Sequence, residues 1–66
     1  MAREELRDRH GQLIGWREQR GDRIEGRDAS GQLRGWYERH NNVTRDARGM
    51  LAGTGDVLTG LIASRL

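Results

Sequence analysis

The chain has no cysteine, no proline and no phenylalanine, and all 12 of its basic residues are arginine. Without cysteine, disulfides and thiolate metal sites are excluded, and nothing about redox compartment can be argued. Without proline, no candidate strand is interrupted. Aromatic residues are reduced to Trp16, Trp36 and Tyr37, and apolar residues make up only 33% of 66 positions. Scaffolds below roughly 70–80 residues usually need a staple beyond their core. With disulfides excluded and no metal-ligand spacing visible, self-association is the staple left. No run approaches the roughly 18 apolar residues of a membrane span. Arg3, Glu4 and Glu5 are followed by no apolar stretch of a secretory signal. A cytoplasmic, bacterial-type protein is therefore the default expectation, with a domain cut from a longer chain equally compatible.

Charge is dense and nearly balanced, 12 basic against 10 acidic residues. Arginine presents a planar fork that pairs bidentately with carboxylates and stacks on aromatic faces. Because Asp and Glu lie among the arginines throughout, pairing within or between subunits is the expected use. A nucleic-acid binder would show a basic block, and none is present.

What the sequence has is a repeat. Arg7-Asp8-Arg9-His10-Gly11-Gln12-Leu13-Ile14-Gly15-Trp16 returns as Arg27-Asp28-Ala29-Ser30-Gly31-Gln32-Leu33-Arg34-Gly35-Trp36. It returns again as Arg45-Asp46-Ala47-Arg48-Gly49-Met50-Leu51-Ala52-Gly53-Thr54. In each copy, D-x-x-G reads as a turn. The Asp side chain bonds the backbone two residues on, and the Gly takes positive φ. Asp8, Gly11, Asp28, Gly31, Asp46 and Gly49 are thus the turn-forming residues of three hairpins, each a type I turn closed by a Gly bulge. Residues 2–10 have helical spacing in isolation, but Gly11 and Gly15 would each cost a continuing helix about 1 kcal/mol. The recurrence of the motif decides for hairpins.

The fold class expected is all-β: an antiparallel meander of about six short strands near 4–8, 12–18, 23–28, 32–38, 43–46 and 50–54. Gly21, Asn41 and Asn42 suit the turns between hairpins, which span 4–18, 23–38 and 43–54. Regular pairing sets Arg7 against Leu13, Leu6 against Ile14 and Glu4 against Trp16. In the second copy it sets Gly26 against Arg34 and Ile24 against Trp36, and in the third Thr44 against Ala52. That register puts Leu13, Leu33 and Leu51 on one face with Gly15, Gly35 and Gly53, and Leu6, Ile14, Trp16, Ile24, Trp36 and Met50 on the other. Apolar residues on both faces predict burial against other subunits or the C-terminal segment. A glycine at the same mid-strand place in every copy predicts a close approach there, by a crossing strand or an aromatic ring.

After the repeat domain (1–55) the character changes. Residues 56–66 form an apolar segment with Val57, Leu58, Leu61, Ile62 and Leu66 at helical spacing. Asp56 reads as the N-cap, and Arg65 suits the negative end of the dipole. About ten residues are marginal for a free helix, so this one forms by docking. Leu58, Leu61 and Ile62 are its expected core or oligomer contacts.

The run Thr44-Arg45-Asp46-Ala47-Arg48-Gly49-Met50-Leu51-Ala52-Gly53-Thr54-Gly55-Asp56-Val57-Leu58-Thr59-Gly60-Leu61-Ile62 resembles the closing signature of small bacterial proteins labelled "4-fold beta flower". These carry tandem D-x-x-G-x-x-x-G hairpins, and the similarity extends over nearly the whole chain. It implies a hairpin-repeat fold assembled around a symmetry axis, with no activity and no functional residues to transfer. A second stretch, Gly15-Trp16 through Gly35-Trp36-Tyr37, is similar to choline-binding cell-wall repeats. Those form cation sites from aromatics clustered between hairpins. Here the third copy has Thr54 in place of Trp, so a full cage would need subunits to pool their rings.

No constellation supports a reaction class, and an enzyme is not expected; nor is a cofactor. His10 and His40 stand thirty residues apart, beside turns and without metal spacing. Ser30 and Ser64 lack a local His-Asp context. The Gly-x-x-x-Gly spacings lie inside hairpins and are not phosphate loops. The expectation is a self-associating structural or interaction module. A carbohydrate or quaternary-cation site using Trp16, Trp36 and Tyr37 is the alternative, and Arg-mediated nucleic-acid binding is third.

Overall fold

The computed structural model describes residues 3–64. Its six strands form one antiparallel sheet in chain order: β1 (Arg3–Arg7), β2 (Leu13–Arg20), β3 (Arg23–Asp28), β4 (Leu33–Glu38), β5 (Val43–Asp46) and β6 (Leu51–Thr54). One helix, α1 (Leu58–Ala63), follows. The all-β meander with a short C-terminal helix is as expected, with strand ends within two residues of the expected ones. No helix among the described residues is long and apolar enough to cross a membrane.

The three hairpin turns are built alike. The N–H of Asp8 donates to the Gln12 carbonyl and that of Gly11 to the Asp8 carbonyl; the second and third turns repeat both bonds at Asp28–Gln32 and Asp46–Met50. Asp8 Oδ1 accepts from the N–H groups of His10 and Gln12, Asp28 Oδ1 from Ser30 and Gln32, and Asp46 Oδ1 from Arg48 and Met50. Gly11, Gly31 and Gly49 sit at φ 82°, 89° and 87°, the left-handed conformation that closes a type I turn with a Gly bulge. Of the residues expected to tolerate that conformation between hairpins, Gly21 (φ 64°) and Asn42 (φ 52°) adopt it.

Beyond each turn the register differs from regular pairing. Arg7 opposes Leu13, but Leu6 then opposes Gly15, so Ile14 is an extra residue. The same shift leaves Arg34 extra between Leu33 and Gly35, and Ala52 extra between Leu51 and Gly53. These bulges exchange the faces of everything beyond them, because a one-residue slip turns every later side chain over. Glu5, not Glu4, therefore opposes Trp16, and Glu25, not Ile24, opposes Trp36. Leu13, Leu33 and the motif arginines share a face with the two tryptophans. Gly15, Gly35 and Gly53 share the other with Leu6, Ile24, Gly26 and Thr44.

That second face carries α1. A Cβ at Gly26 would lie 2.8 Å from both Leu58 Cδ1 and Ile62 Cδ1, and one at Gly53 would lie 3.0 Å from Val57 Cγ2. At Gly15 it would strike the Arg27 carbonyl oxygen and lie 2.6 Å from Ile62 Cγ2; at Gly35 it would strike the Arg45 carbonyl oxygen and lie 2.6 Å from Leu61 Cδ2. The mid-strand glycines do mark a close approach. What approaches is the aliphatic face of the C-terminal helix, where a crossing strand or an aromatic ring was expected.

The helix is shorter than its apolar spacing implies, six residues. Its N-cap is Val57, and Asp56 stands one position earlier, accepting the Leu58 N–H at 3.2 Å. Arg17 holds this carboxylate through both terminal guanidinium nitrogens, at 3.1 and 2.6 Å, and Arg17 Nη1 also donates to Thr59 Oγ1 at 3.0 Å. Thr44, wholly buried, donates to the Gly55 carbonyl and accepts the Val57 N–H, fixing the approach to the helix. Leu58 and Ile62, at 0% and 1% exposure, are the buried apolar side chains. Each contributes about 1.5–3 kcal/mol by leaving water. The expected contributions of Arg65 and Leu66 lie outside the described residues.

Candidate functional site

Among the described residues, the face away from the helix has no second layer over it. It is covered instead by its own long side chains, arranged in a repeat. Arg3, Glu5 and Arg7 on β1, then Leu13, Trp16 and Glu18 on β2, recur twenty residues on as Arg23, Glu25, Arg27, Leu33, Trp36 and Glu38. The spatial relations recur with the residues. Arg3 stacks over the Trp16 ring at 4.0 Å from its centroid, and Arg23 over the Trp36 ring at 4.5 Å. Trp16 Nε1 donates to Glu18 Oε1 at 3.3 Å, and Trp36 Nε1 to Glu38 Oε2 at 2.9 Å. Trp16 Cη2 lies 3.7 Å from where a Cβ on Gly31 would be, and Trp36 Cη2 3.8 Å from the same point on Gly49. Each indole thus spans from a preceding arginine to the turn of the next hairpin.

The motif arginines have one use common to all three copies. Arg7, Arg27 and Arg45 each donate through Nη1 to the carbonyl of their own turn glycine, at 2.9, 3.0 and 3.0 Å. The remaining guanidinium donors reach carboxylates: Arg7 to Glu5, Arg27 to Glu25 and Arg45 to Glu38. Glu25 lies at the centre of the network, 8% exposed, with Arg23 at 2.9 Å and Arg27 at 3.3 Å. Burial works to raise its pKa, and the bonds from Arg23 and then Arg27 outweigh it, so its carboxyl is held below the ordinary value. Glu38 is lowered too, first by the indole N–H of Trp36, then by Asn41 and Arg45.

The aromatic candidates are divided by the sheet. Trp16 and Trp36 share the open face. Tyr37 is on the helix face, opposite Ile24 and Thr44, with its hydroxyl donating to Asn42 Oδ1 at 2.7 Å. The contacts expected of Leu58, Leu61 and Ile62 are made within the chain, on the glycines of the other face. His10 is an exposed turn residue. His40, also exposed, meets Asp22 at 3.0 Å beside a cavity of about 330 Å³ that Arg23, Glu38, Arg39 and Asn41 also line. Among the described residues no three His, Cys, Asp or Glu side chains gather as metal ligands would. Arg3 and Arg23, the stacking partners, were not singled out from the sequence. Their signal was there: the twenty-residue interval relating Trp16 to Trp36 also relates Arg3 to Arg23. Chemically, the face offers flat guanidinium and indole surfaces with every carboxylate already engaged.

The chain matches no protein-family model, no curated protein and no solved structure.

Proposed function

We propose that this chain is a non-enzymatic structural or interaction module that self-associates, in the manner of the beta-flower proteins it resembles. One observation carries the reading: six strands rest on a single short helix, with Leu58 and Ile62 as the buried apolar core. So little burial is marginal for an independent domain, and closed symmetric assemblies are the common solution. The motif residues support the same conclusion. Asp, Gly and Arg of each copy are occupied by their own hairpin, which gives the repeat a structural cause. Size-exclusion chromatography with light scattering is the test. An assembly larger than the 7.5 kDa chain supports it, and a folded monomer at every concentration from micromolar to millimolar sinks it.

A second reading is favoured by the Arg–Trp stacks. The ring faces of Trp16 and Trp36 already accept a cation, so a quaternary ammonium or a sugar face competing with Arg3 or Arg23 would find a formed platform. Tyr37 has no part in it. Titration of tryptophan fluorescence with choline and a glycan panel decides, and flat titrations remove this reading. Nucleic-acid binding comes third, since the arginines of the open face are paired with Glu5, Glu18, Glu25 and Glu38; its mark would be steep salt dependence.

A further inference from the structure

The two edges of the sheet are built in opposite ways. β1 carries Arg3, Glu4, Glu5 and Arg7 in its five residues, a charged edge of the kind that resists added strands. Paired antiparallel with its own copy about Glu5, it would set Glu5 against Glu5 and Arg3 against Arg7. β6 is the reverse. From Gly49 to Gly55 there is no charge at all. The described residues with large exposed apolar side chains are Met50 (63%), Leu51 (60%) and Val57 (42%), and all three lie on or beside β6. Leu51 lies on the open face opposite Arg45, and Val57 lies over Gly53 on the helix face, so apolar surface flanks this edge on both sides.

Among the described residues no strand lies beyond this edge. The Asp46 N–H donates to the Met50 carbonyl and the Gly55 N–H to the Asn42 carbonyl, so these bonded pairs flank the β5–β6 ladder at its two ends. By the alternation of an antiparallel ladder, Leu51 and Thr54 direct their N–H and C=O groups away from β5. The third hairpin also lacks what the others have at this place. Thr54 stands where Trp16 and Trp36 stand, so no indole or paired glutamate overhangs the edge.

We propose that β6 is the self-association surface, pairing antiparallel with β6 of a second copy across a two-fold axis to make one continuous twelve-stranded sheet. A second copy is the occupant because the edge is uncharged, apolar on both flanks and self-complementary, whereas a partner's β1 would bring four charged side chains against Leu51 and Ala52. The inference rests on the self-association proposed above and names its surface.

The test uses the full chain and its Leu51→Lys and Thr54→Lys variants, since a lysine on a free edge blocks strand addition. Both positions are exposed, and far-UV circular dichroism checks that the fold survives. Sedimentation velocity should show a wild-type dimer, with the variants' dissociation constants raised at least about tenfold. Amide exchange followed by NMR is the second readout, independent of any variant. The Leu51 and Thr54 amides should slow about tenfold from dilute to concentrated wild-type protein, and those of β1 should not change. An assembly indifferent to both lysines, with Leu51 and Thr54 exchange independent of concentration, overturns the β6 surface but leaves self-association standing. Protection gained at β1 together with β6 overturns the two-fold arrangement in favour of a head-to-tail one. A wild-type monomer at every concentration overturns this proposal and the functional reading together.

Discussion

Alanine at Gly26 probes the seam between sheet and helix. The new Cβ would lie 2.8 Å from Leu58 Cδ1, 2.8 Å from Ile62 Cδ1 and 3.0 Å from Ile62 Cγ1, against the two side chains that form the buried core. Gly26 is not among the positive-φ glycines, so the backbone itself tolerates alanine and the penalty is steric. Overpacking of this kind costs about 1–3 kcal/mol. A chain of 66 residues has about 3–10 kcal/mol to lose. With a urea slope near 1 kcal/mol per molar for so small a protein, Gly26→Ala should lower the unfolding midpoint by about 1–3 M. Measurement at one fixed protein concentration keeps association from confusing the comparison. Ile62→Val removes Cδ1, one of the colliding atoms, and alone costs about 0.5–1.5 kcal/mol. Combined with Gly26→Ala it should cost less than the sum, because it opens the space the new methyl needs. Gly60→Ala is the contrasting case. Its Cβ would meet nothing within 4 Å, so helix propensity alone should stabilise the protein by about 0.8–1.0 kcal/mol. A neutral Gly26→Ala, or strict additivity with Ile62→Val, would refute the docking of the helix on this glycine.

Three further outcomes are expected. Asp46→Ala leaves the Arg48 and Met50 N–H groups without their shared acceptor and should cost about 1–3 kcal/mol in urea unfolding, with Asp46→Asn recovering much of it. Asp56 has its pKa lowered from 3.8, chiefly by the Arg17 hydrogen bonds and against burial. Because the folded value lies below the unfolded one, this contribution is fully present above about pH 4 and is lost as pH falls through the lowered value; Arg17→Met should therefore flatten the acid limb of the stability curve. Arg23→Ala uncovers the Trp36 ring and removes a stacking contribution of about 0.5–1 kcal/mol, read as a red shift of tryptophan emission in the native protein, which an unchanged spectrum would contradict.

The hairpins were legible because a D-x-x-G tetrad has one mechanical use, and three copies in one chain leave little room for another. Arg7 opposite Leu13, and its two counterparts, followed directly. The bulges were not legible. Ile14, Arg34 and Ala52 share no property as side chains, since a bulged residue is defined by what its partner strand does. The glycine after each one was a usable signal, because a mid-strand glycine often marks a bulge as well as a close approach. Missing the bulge put the tryptophans on the face away from Leu13, Leu33 and the motif arginines, whose face they share, and set Glu4 and Ile24 opposite them where Glu5 and Glu25 stand. The helix was legible as a docked apolar stripe, but its cap was placed at Asp56, one residue early. The Arg17 fork draws that carboxylate toward the sheet, and nothing local in the sequence announces a partner 39 positions away.

The central claim is that a chain with so small a core is completed by a second copy of itself. Sedimentation equilibrium of the full chain, loaded from low micromolar to millimolar concentration, tests it most directly. The account predicts a weight-average mass rising from near 7.5 kDa toward twice that value. A mass that stays at 7.5 kDa throughout, with the sheet intact by circular dichroism, would contradict it.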